Sequence, residues 1–239
     1  TSWTKKITLK KRQYIKKKIY EKIEILQELK PENEMEKTEI NKEISNLSRQ
    51  IINVTKTHVT EVKTLLDILG ITYYDAPDEA EKYCVFLQKN KIIDYIVTDD
   101  TDIFTFGGIN ILKSTIKNDI IETDIEMLLN KIKYTQEKFI EFCILSGCDY
   151  LPYVPSVAIN TVYTLFKKHN TINDIINLNK YSFPEEYTEE NLKNIRSIFL
   201  NFEYDLPHGI KNIFIDKEKL KIFLKDMNIS NYNKIADRF

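Results

Sequence analysis

Apolar residues recur at helical spacing near the start of the chain, at Ile15, Ile19, Ile23 and Leu26, and again at Ile40, Ile44, Leu47, Ile51 and Val54. Positions three, four or seven apart share one helix face, and Pro31-Glu32-Asn33 breaks the pattern between the two runs. The spacing therefore predicts a long helical hairpin. Gly70 is placed to stop a helix, and Ile71 to Tyr74 then reads as a short buried strand. Pro77 and Asp78 open a helix running through about Gln88, and Ile92 to Val97 reads as a second strand. Ile109 to Leu112 predicts another short strand, and Gln136 to Ser146 a helix stopped by Gly147. From about residue 155 onward the pattern is of helical segments with polar connections and no internal repeat.

Strand, helix, strand alternation is the mark of a parallel α/β sheet, in which sites lie beyond the carboxyl ends of strands. The fold expected is α/β, a mostly parallel sheet flanked by helices, with the helical hairpin before it and a helical C-terminal half after it. The divisions expected are 1–69 for the hairpin, 70–150 for the core and 151–239 for a helical region forming one compact unit with that core.

Composition narrows the class. The 239 residues are 42% hydrophobic and 30% charged with few Gly and Pro, the profile of a helical globular protein rather than a disordered one. No apolar run approaches the roughly 20 residues that span a bilayer, and no secretory pattern opens the chain, so an intracellular protein without a membrane partner is expected. Cys84, Cys143 and Cys148 are odd in number and lack zinc-ligand spacing, which predicts reduced thiols.

The net charge of -1 hides an uneven distribution. Lys5, Lys6, Lys10, Lys11, Arg12, Lys16, Lys17 and Lys18 crowd one stretch, either a solvated helix face or an electrostatic footprint for nucleic acid.

Acids gather elsewhere. The strand ending at Val97 runs into Thr98-Asp99-Asp100-Thr101-Asp102. Read as a strand end, Asp100 and Asp102 project to one face, where they either share a divalent cation or form an ordinary polar turn. Glu79 and Glu81 fall in the first turn of a helix, where the dipole favours negative charge. Residues two apart on a regular helix diverge by roughly 200°, so both reach one ion only if that turn is irregular or one acts through water. Asp149 follows Gly147 at a helix carboxyl end, where an anion calls for compensation by a metal, a Lys or Arg, or solvent. Taken together these acids suit hard cations such as Mg²⁺ or Mn²⁺, which prefer oxygen. Two such ions about 3.5–4 Å apart would polarise a phosphodiester and activate water.

The stretches DAPDEAEKYC, TDDTDIFTFGG and EFCILSGCDY, in that order and spacing, resemble the core of the flap endonuclease family of structure-specific 5′ nucleases. The resemblance implies a metal-dependent endo- and exonuclease cutting DNA at single-strand/duplex junctions in replication or repair. It puts Glu79, Glu81, Asp100, Asp102 and Asp149 on the family's metal-site positions, for two Mg²⁺ ions with Mn²⁺ as a substitute, and makes the hairpin a helical arch passing a 5′ single strand. Lys5 and Arg12 fall on the arch's phosphate-contacting positions and with Asp100 form the expected catalytic set. Lys6, Lys10, Lys11 and Lys16 would add to nucleic-acid binding.

Three departures accompany the resemblance. The family's N-terminal segment, with two further metal-site aspartates and a central strand, would precede Thr1, so a partial or variant chain is expected. The family's glycine-rich duplex-gripping turn falls on Tyr153 to Thr161, but Ser156 and Ala158 stand for glycines, and Asn160 and Thr161 for a basic pair. Lys167, Lys168 and His169 follow as partial substitutes or as favourable charges at a helix end. No sliding-clamp peptide is recognised before Phe239. The partner expected is DNA with 5′ flaps, bound by a monomer, in the nucleus by resemblance or in the cytoplasm for a viral protein. The rival readings are a non-catalytic binding or scaffold protein on the same fold, and a relative acting on RNA.

Overall fold

The computed structural model describes residues 6–51, 53–114, 119–207, 209 and 214–239. They form two compact units, one from Thr1–Tyr14 with Ala76–Asp205 and the other from Ile15–Asp75 with Leu206–Phe239. Helix α1 (Lys6–Glu28) runs from the first into the second.

In the second unit α1 is followed by α2 (Glu34–Gln50), giving the predicted hairpin. Asn33 caps α2 by accepting from the Glu36 amide at 2.9 Å, as a short polar side chain does at a helix start. Lys22 reaches Glu43 at 2.7 Å and Lys16 reaches Asn53 at 2.6 Å, tying the two limbs together. Neither Ile40, Ile44 nor Leu47 is fully buried, and α2 contains no buried residue. Helix α3 (Lys56–Ile68) starts at a Thr55–His58 capping box. It ends at Gly70, whose φ of +67° is costly for any side chain; a Cβ there would lie 2.5 Å from the Phe214 amide nitrogen. Leu69 joins Leu220 and Leu224 of α11 (Lys217–Asp226) and Ala236 of α12 (Tyr232–Ala236) in a small core.

The first unit carries α4 (Ala80–Lys89), β1 (Ile96–Val97), α5 (Asp102–Thr105), β2 (Asn110–Ser114), β3 (Ile120–Asp124), α6 (Ile125–Ile132), α7 (Gln136–Ser146), α8 (Ile159–Phe166), α9 (Ile172–Ile176) and α10 (Glu189–Leu200). The α/β class stands, with a smaller and more mixed sheet than expected. β1 pairs parallel with β2, Ile96 opposite Ile111, whereas β2 pairs antiparallel with β3, Asn110 opposite Asp124. Two segments depart from the sequence reading. Ile71 to Tyr74 makes no strand, because a strand needs a partner that local pattern does not supply. The residues from Ile92 shrink to a two-residue strand. Helix α7 has the predicted bounds and stops at Gly147, whose φ of +128° and closeness to the Tyr153 ring exclude a side chain.

The core of this unit joins Val85 of α4, Ile103 of α5, Ile144 of α7 and Phe166 of α8, all shielded from solvent. Beside it Glu141 of α7 is buried at 5% exposure. Its carboxylate accepts from Arg196 Nε, from Arg196 Nη2 at 3.2 Å and from the Ile172 amide at 2.8 Å, joining α7, α9 and α10. A buried carboxylate is tolerable only when paired and hydrogen-bonded. Arg196→Met is therefore expected to cost about 3–5 kcal/mol in urea unfolding by leaving Glu141 uncompensated. A loss below about 1 kcal/mol would mean that water reaches Glu141 and the pair does not hold these helices.

Candidate active site

Three segments of the first unit carry the predicted acids. Glu79 is the N-cap of α4, in extended conformation with φ -81° and ψ 125°, and makes no capping hydrogen bond with its side chain. It therefore stands outside the helix, while Glu81 lies in the first turn, so the two do not diverge as residues of a regular helix would. Asp102 opens α5 just beyond the carboxyl end of β1. Asp149 follows the Gly147 stop of α7.

What they share is the Tyr150 phenol. Tyr150 is 8% exposed, with its ring against Phe199 at 5.7 Å between centroids. Burial pushes its ionisation upward, and the negative charges of Glu79, Asp102 and Asp149 push it further. One hydroxyl thus lies within electrostatic reach of three carboxylates that are far apart in sequence. Two thiols lie in the same neighbourhood. Burial is the main force raising Cys143, from an ordinary 9.0 to about 11, with Asp102 and Cys148 adding to it. Cys148 is raised by burial, and by Asp102 and Asp149.

The remaining predicted acids are placed differently. Asp100 accepts from the Asp102 amide at 2.9 Å, and its own amide donates to Thr98 Oγ1 at 3.0 Å. Its carboxylate closes the turn that starts α5, so the strand-end argument that put Asp100 and Asp102 on one face does not describe this segment. Glu81 lies near the Cys84 thiol, whose ionisation is raised first by burial and then by that carboxylate.

Does this set fit a divalent ion? By donor type it does: Glu79, Asp102 and Asp149 offer only oxygen, and the nearby thiols are held protonated, which makes them poor ligands. By spacing it falls short of a closed cage, since among the described residues no three His, Cys, Asp or Glu side chains lie close enough to form a ready-made metal group.

Of the basic set, Lys5 lies outside the described residues, as do the side chains of Lys6 and Lys11. Lys10 is exposed. Arg12 brings Nη2 to 4.0 Å from Asp149 Oδ2. Lys16 is bound to Asn53 in the second unit.

The turn after Val154 keeps a glycine-like backbone without glycine. Ser156 has φ +63°, a conformation that costs an L-residue roughly 1–2 kcal/mol. Ala158 is the N-cap of α8 without a side-chain cap, and Asn160 is exposed in the first turn. Lys167 closes α8 with Nζ 4.4 Å from the Tyr163 ring centre, and Lys168 is exposed beside it.

Sequence reasoning passed over two features. Tyr150 was visible only as the last letter of EFCILSGCDY, and nothing local marks its phenol as the meeting point of three acids. Asp78, next to Glu79, accepts from the Tyr204 hydroxyl, and Lys82 lies 3.4 Å from the same carboxylate. That anchors the start of α4 through a residue 126 positions away, which no spacing rule could find.

With this geometry in view, comparison with known proteins is decisive for the family. Residues 70–149 match the XPG I-region family. Flap endonuclease 1-A of Oryza sativa subsp. japonica is 31% identical over 203 residues, covering 81% of this chain and 52% of that protein. Among solved structures, flap endonuclease-1 from Methanococcus jannaschii aligns with a TM-score of 0.67 at 23% identity, covering 88% of this chain and 64% of the other. The catalytic core of Rad2 in complex with DNA substrate aligns with a TM-score of 0.66 at 23% identity, covering 78% and 69%. The fold is that of this nuclease core, and the chain belongs to the flap endonuclease family. The chain spans about half the length of the curated relatives it matches. The family's nucleases are metal-dependent.

Two expectations follow from the local geometry. Ser156→Gly should raise stability by about 0.5–1 kcal/mol in chemical unfolding by relieving the left-handed backbone; a loss would mean that the Ser156 side chain itself holds the turn. Raising the Cys143 value from 9.0 to about 11 lowers its thiolate fraction near pH 8 about a hundredfold. Iodoacetamide should therefore modify Cys143 at least a hundredfold more slowly in the folded than in the urea-unfolded chain, as followed by mass spectrometry.

Proposed function

We propose that this chain carries the catalytic core of a structure-specific 5′ nuclease that hydrolyses DNA phosphodiesters at single-strand/duplex junctions with divalent metal, Mg²⁺ in two ions with Mn²⁺ as a substitute. The observation that carries the reading is the contact of Arg12 of the basic helix with Asp149, Nη2 to Oδ2 at 4.0 Å, beside a Tyr150 phenol whose ionisation is raised by burial and then by the charges of Glu79, Asp102 and Asp149. The fold shared with the Rad2 core, which is described in complex with DNA substrate, supports DNA as the partner.

In this reading Glu79, Glu81, Asp100, Asp102 and Asp149 would hold the metal, directly or through water. When bound, the metal supplies Lewis acidity at the phosphate and a more acidic water. The chain's own residues do the rest. Arg12, together with Lys5, neutralises the phosphate and the charge that develops on it. Lys6, Lys10, Lys11 and Lys16 attract the single strand. The loop at Ser156, with Ala158, Asn160, Lys167 and Lys168, meets the duplex. The setting is replication or repair, with the protein acting as a monomer, in the nucleus of a cellular source or the cytoplasm of a virus-infected cell.

The departures at Ser156 and Ala158 favour one alternative, a non-catalytic nucleic-acid-binding protein on the same fold. Labelled 5′-flap DNA and its RNA counterpart, incubated with Mg²⁺ and the chain, its Asp102→Asn variant or its Asp100→Ala variant, separate the readings. Metal-dependent DNA cleavage is expected, reduced at least a thousandfold by Asp102→Asn and less by Asp100→Ala, with circular dichroism unchanged. Binding without cleavage of either substrate would move the assignment to the non-catalytic protein, and cleavage of RNA alone to an RNA-acting relative.

A further inference from the structure

The Arg12–Asp149 contact is out of place in a site that is meant to take a cation at Asp149. Arg12 Nη2 lies 4.0 Å from Asp149 Oδ2, with the two side chains 68% and 37% exposed. The charges of Glu79 and Asp102 act on the same Tyr150 phenol as that of Asp149, yet the described acids do not close into a metal group. A guanidinium cannot shed its charge, so the only way for Arg12 to leave a carboxylate is to be displaced or drawn to another anion. A divalent cation and Arg12 are therefore competitors for one carboxylate, and a phosphate and Asp149 are competitors for one guanidinium.

We propose that Arg12 is a placeholder cation for the acidic site: it occupies Asp149 while no divalent ion is bound, so that ion binding at Asp149 releases Arg12 towards the substrate phosphate. The inference rests on the metal-site reading above and concerns how that site is regulated. It has two consequences. Without metal, Arg12 offsets part of the negative charge carried by Glu79, Asp102 and Asp149. With metal, the guanidinium becomes available only once the ion is in place, so a phosphate meets its full positive charge only at a loaded site. The coupling is reciprocal, as linkage requires: phosphate held by Arg12 tightens the ion as much as the ion tightens the phosphate.

The coupling can be read without catalysis. Mn²⁺ binding to the 239-residue chain, without DNA, is followed by electron paramagnetic resonance for the unmodified chain, Arg12→Ala, Asp149→Asn, the double variant and Lys10→Ala. Lys10→Ala removes a charge from the same helix away from the contact. Arg12→Ala should tighten Mn²⁺ about two- to fivefold, within what an exposed ion pair contributes. In the Asp149→Asn background the same change should have no effect, and Lys10→Ala should alter the affinity by less than Arg12→Ala. Equal tightening by Lys10→Ala would reduce the effect to the general field of the helix and overturn the proposal, as would unchanged or weaker binding by Arg12→Ala. Mn²⁺ bound by no variant would remove the metal-site reading and the proposal with it. Flap cleavage that is absent while the Mn²⁺ pattern holds would sink the nuclease reading and leave the placeholder standing.

Discussion

Three carboxylates that repel one another cannot be gathered by their own chemistry; they must be held by what lies beneath them. Glu79, Asp102 and Asp149 come from the start of α4, the start of α5 and the loop after α7. The helices α4, α5 and α7 each carry a side chain with no exposure at all: Val85, Ile103 and Ile144. Apolar burial at about 25 cal/mol per Å² supplies a non-directional force large enough to clamp the three elements, and Tyr150 belongs to that core, with its ring against Phe199. The site is thus a consequence of core packing, with the charges carried to its rim.

The same logic explains which parts of the site could be read from the sequence. Signals that act locally were legible: the helix Gln136–Ser146 with its stop at Gly147, the break between the hairpin limbs, and the acidic run just past the end of β1. Signals that depend on distant partners were not. Ile71 to Tyr74 has strand composition but no strand, and Ile120–Asp124 forms β3 only because Asn110–Ser114 is there to pair with it. At Asp100 the local rule itself failed, because β1 ends at Val97 and the chain turns into α5 at Asp102, so the alternation of a strand no longer applies. The resemblance to flap endonucleases bridged this gap for identity and left it open for geometry: it named five acids, whereas among the described residues no three acids close into a metal group and Asp100 shapes the turn into α5.

Ser156 shows a related division between shape and chemistry. Its positive φ keeps the backbone path that a glycine would follow, so the turn leading to α8 survives the substitution at a cost in strain. What the substitution changes is the closeness with which a phosphate can approach the backbone amides, since a Cβ and hydroxyl now stand there. Under the proposed function, persistence of the path together with a narrower approach gives a weaker duplex grip.

That hairpin is charged in a way the net value of -1 conceals. Between Lys5 and Lys18 there are eight basic residues and no acid, whereas between Glu21 and Glu43 eight glutamates face four lysines. Positive potential is therefore concentrated along the first half of α1 and changes sign before the turn at Pro31. Over a Debye length of about 8 Å at physiological salt, a phosphate near Arg12 feels the basic stretch and little of the acidic one, because at 1.5 Å rise per residue the glutamates begin more than one such length along the helix. A uniformly basic hairpin would attract nucleic acid along its whole length. This one keeps its positive charge in the stretch that contains Arg12, whose guanidinium lies 4.0 Å from Asp149.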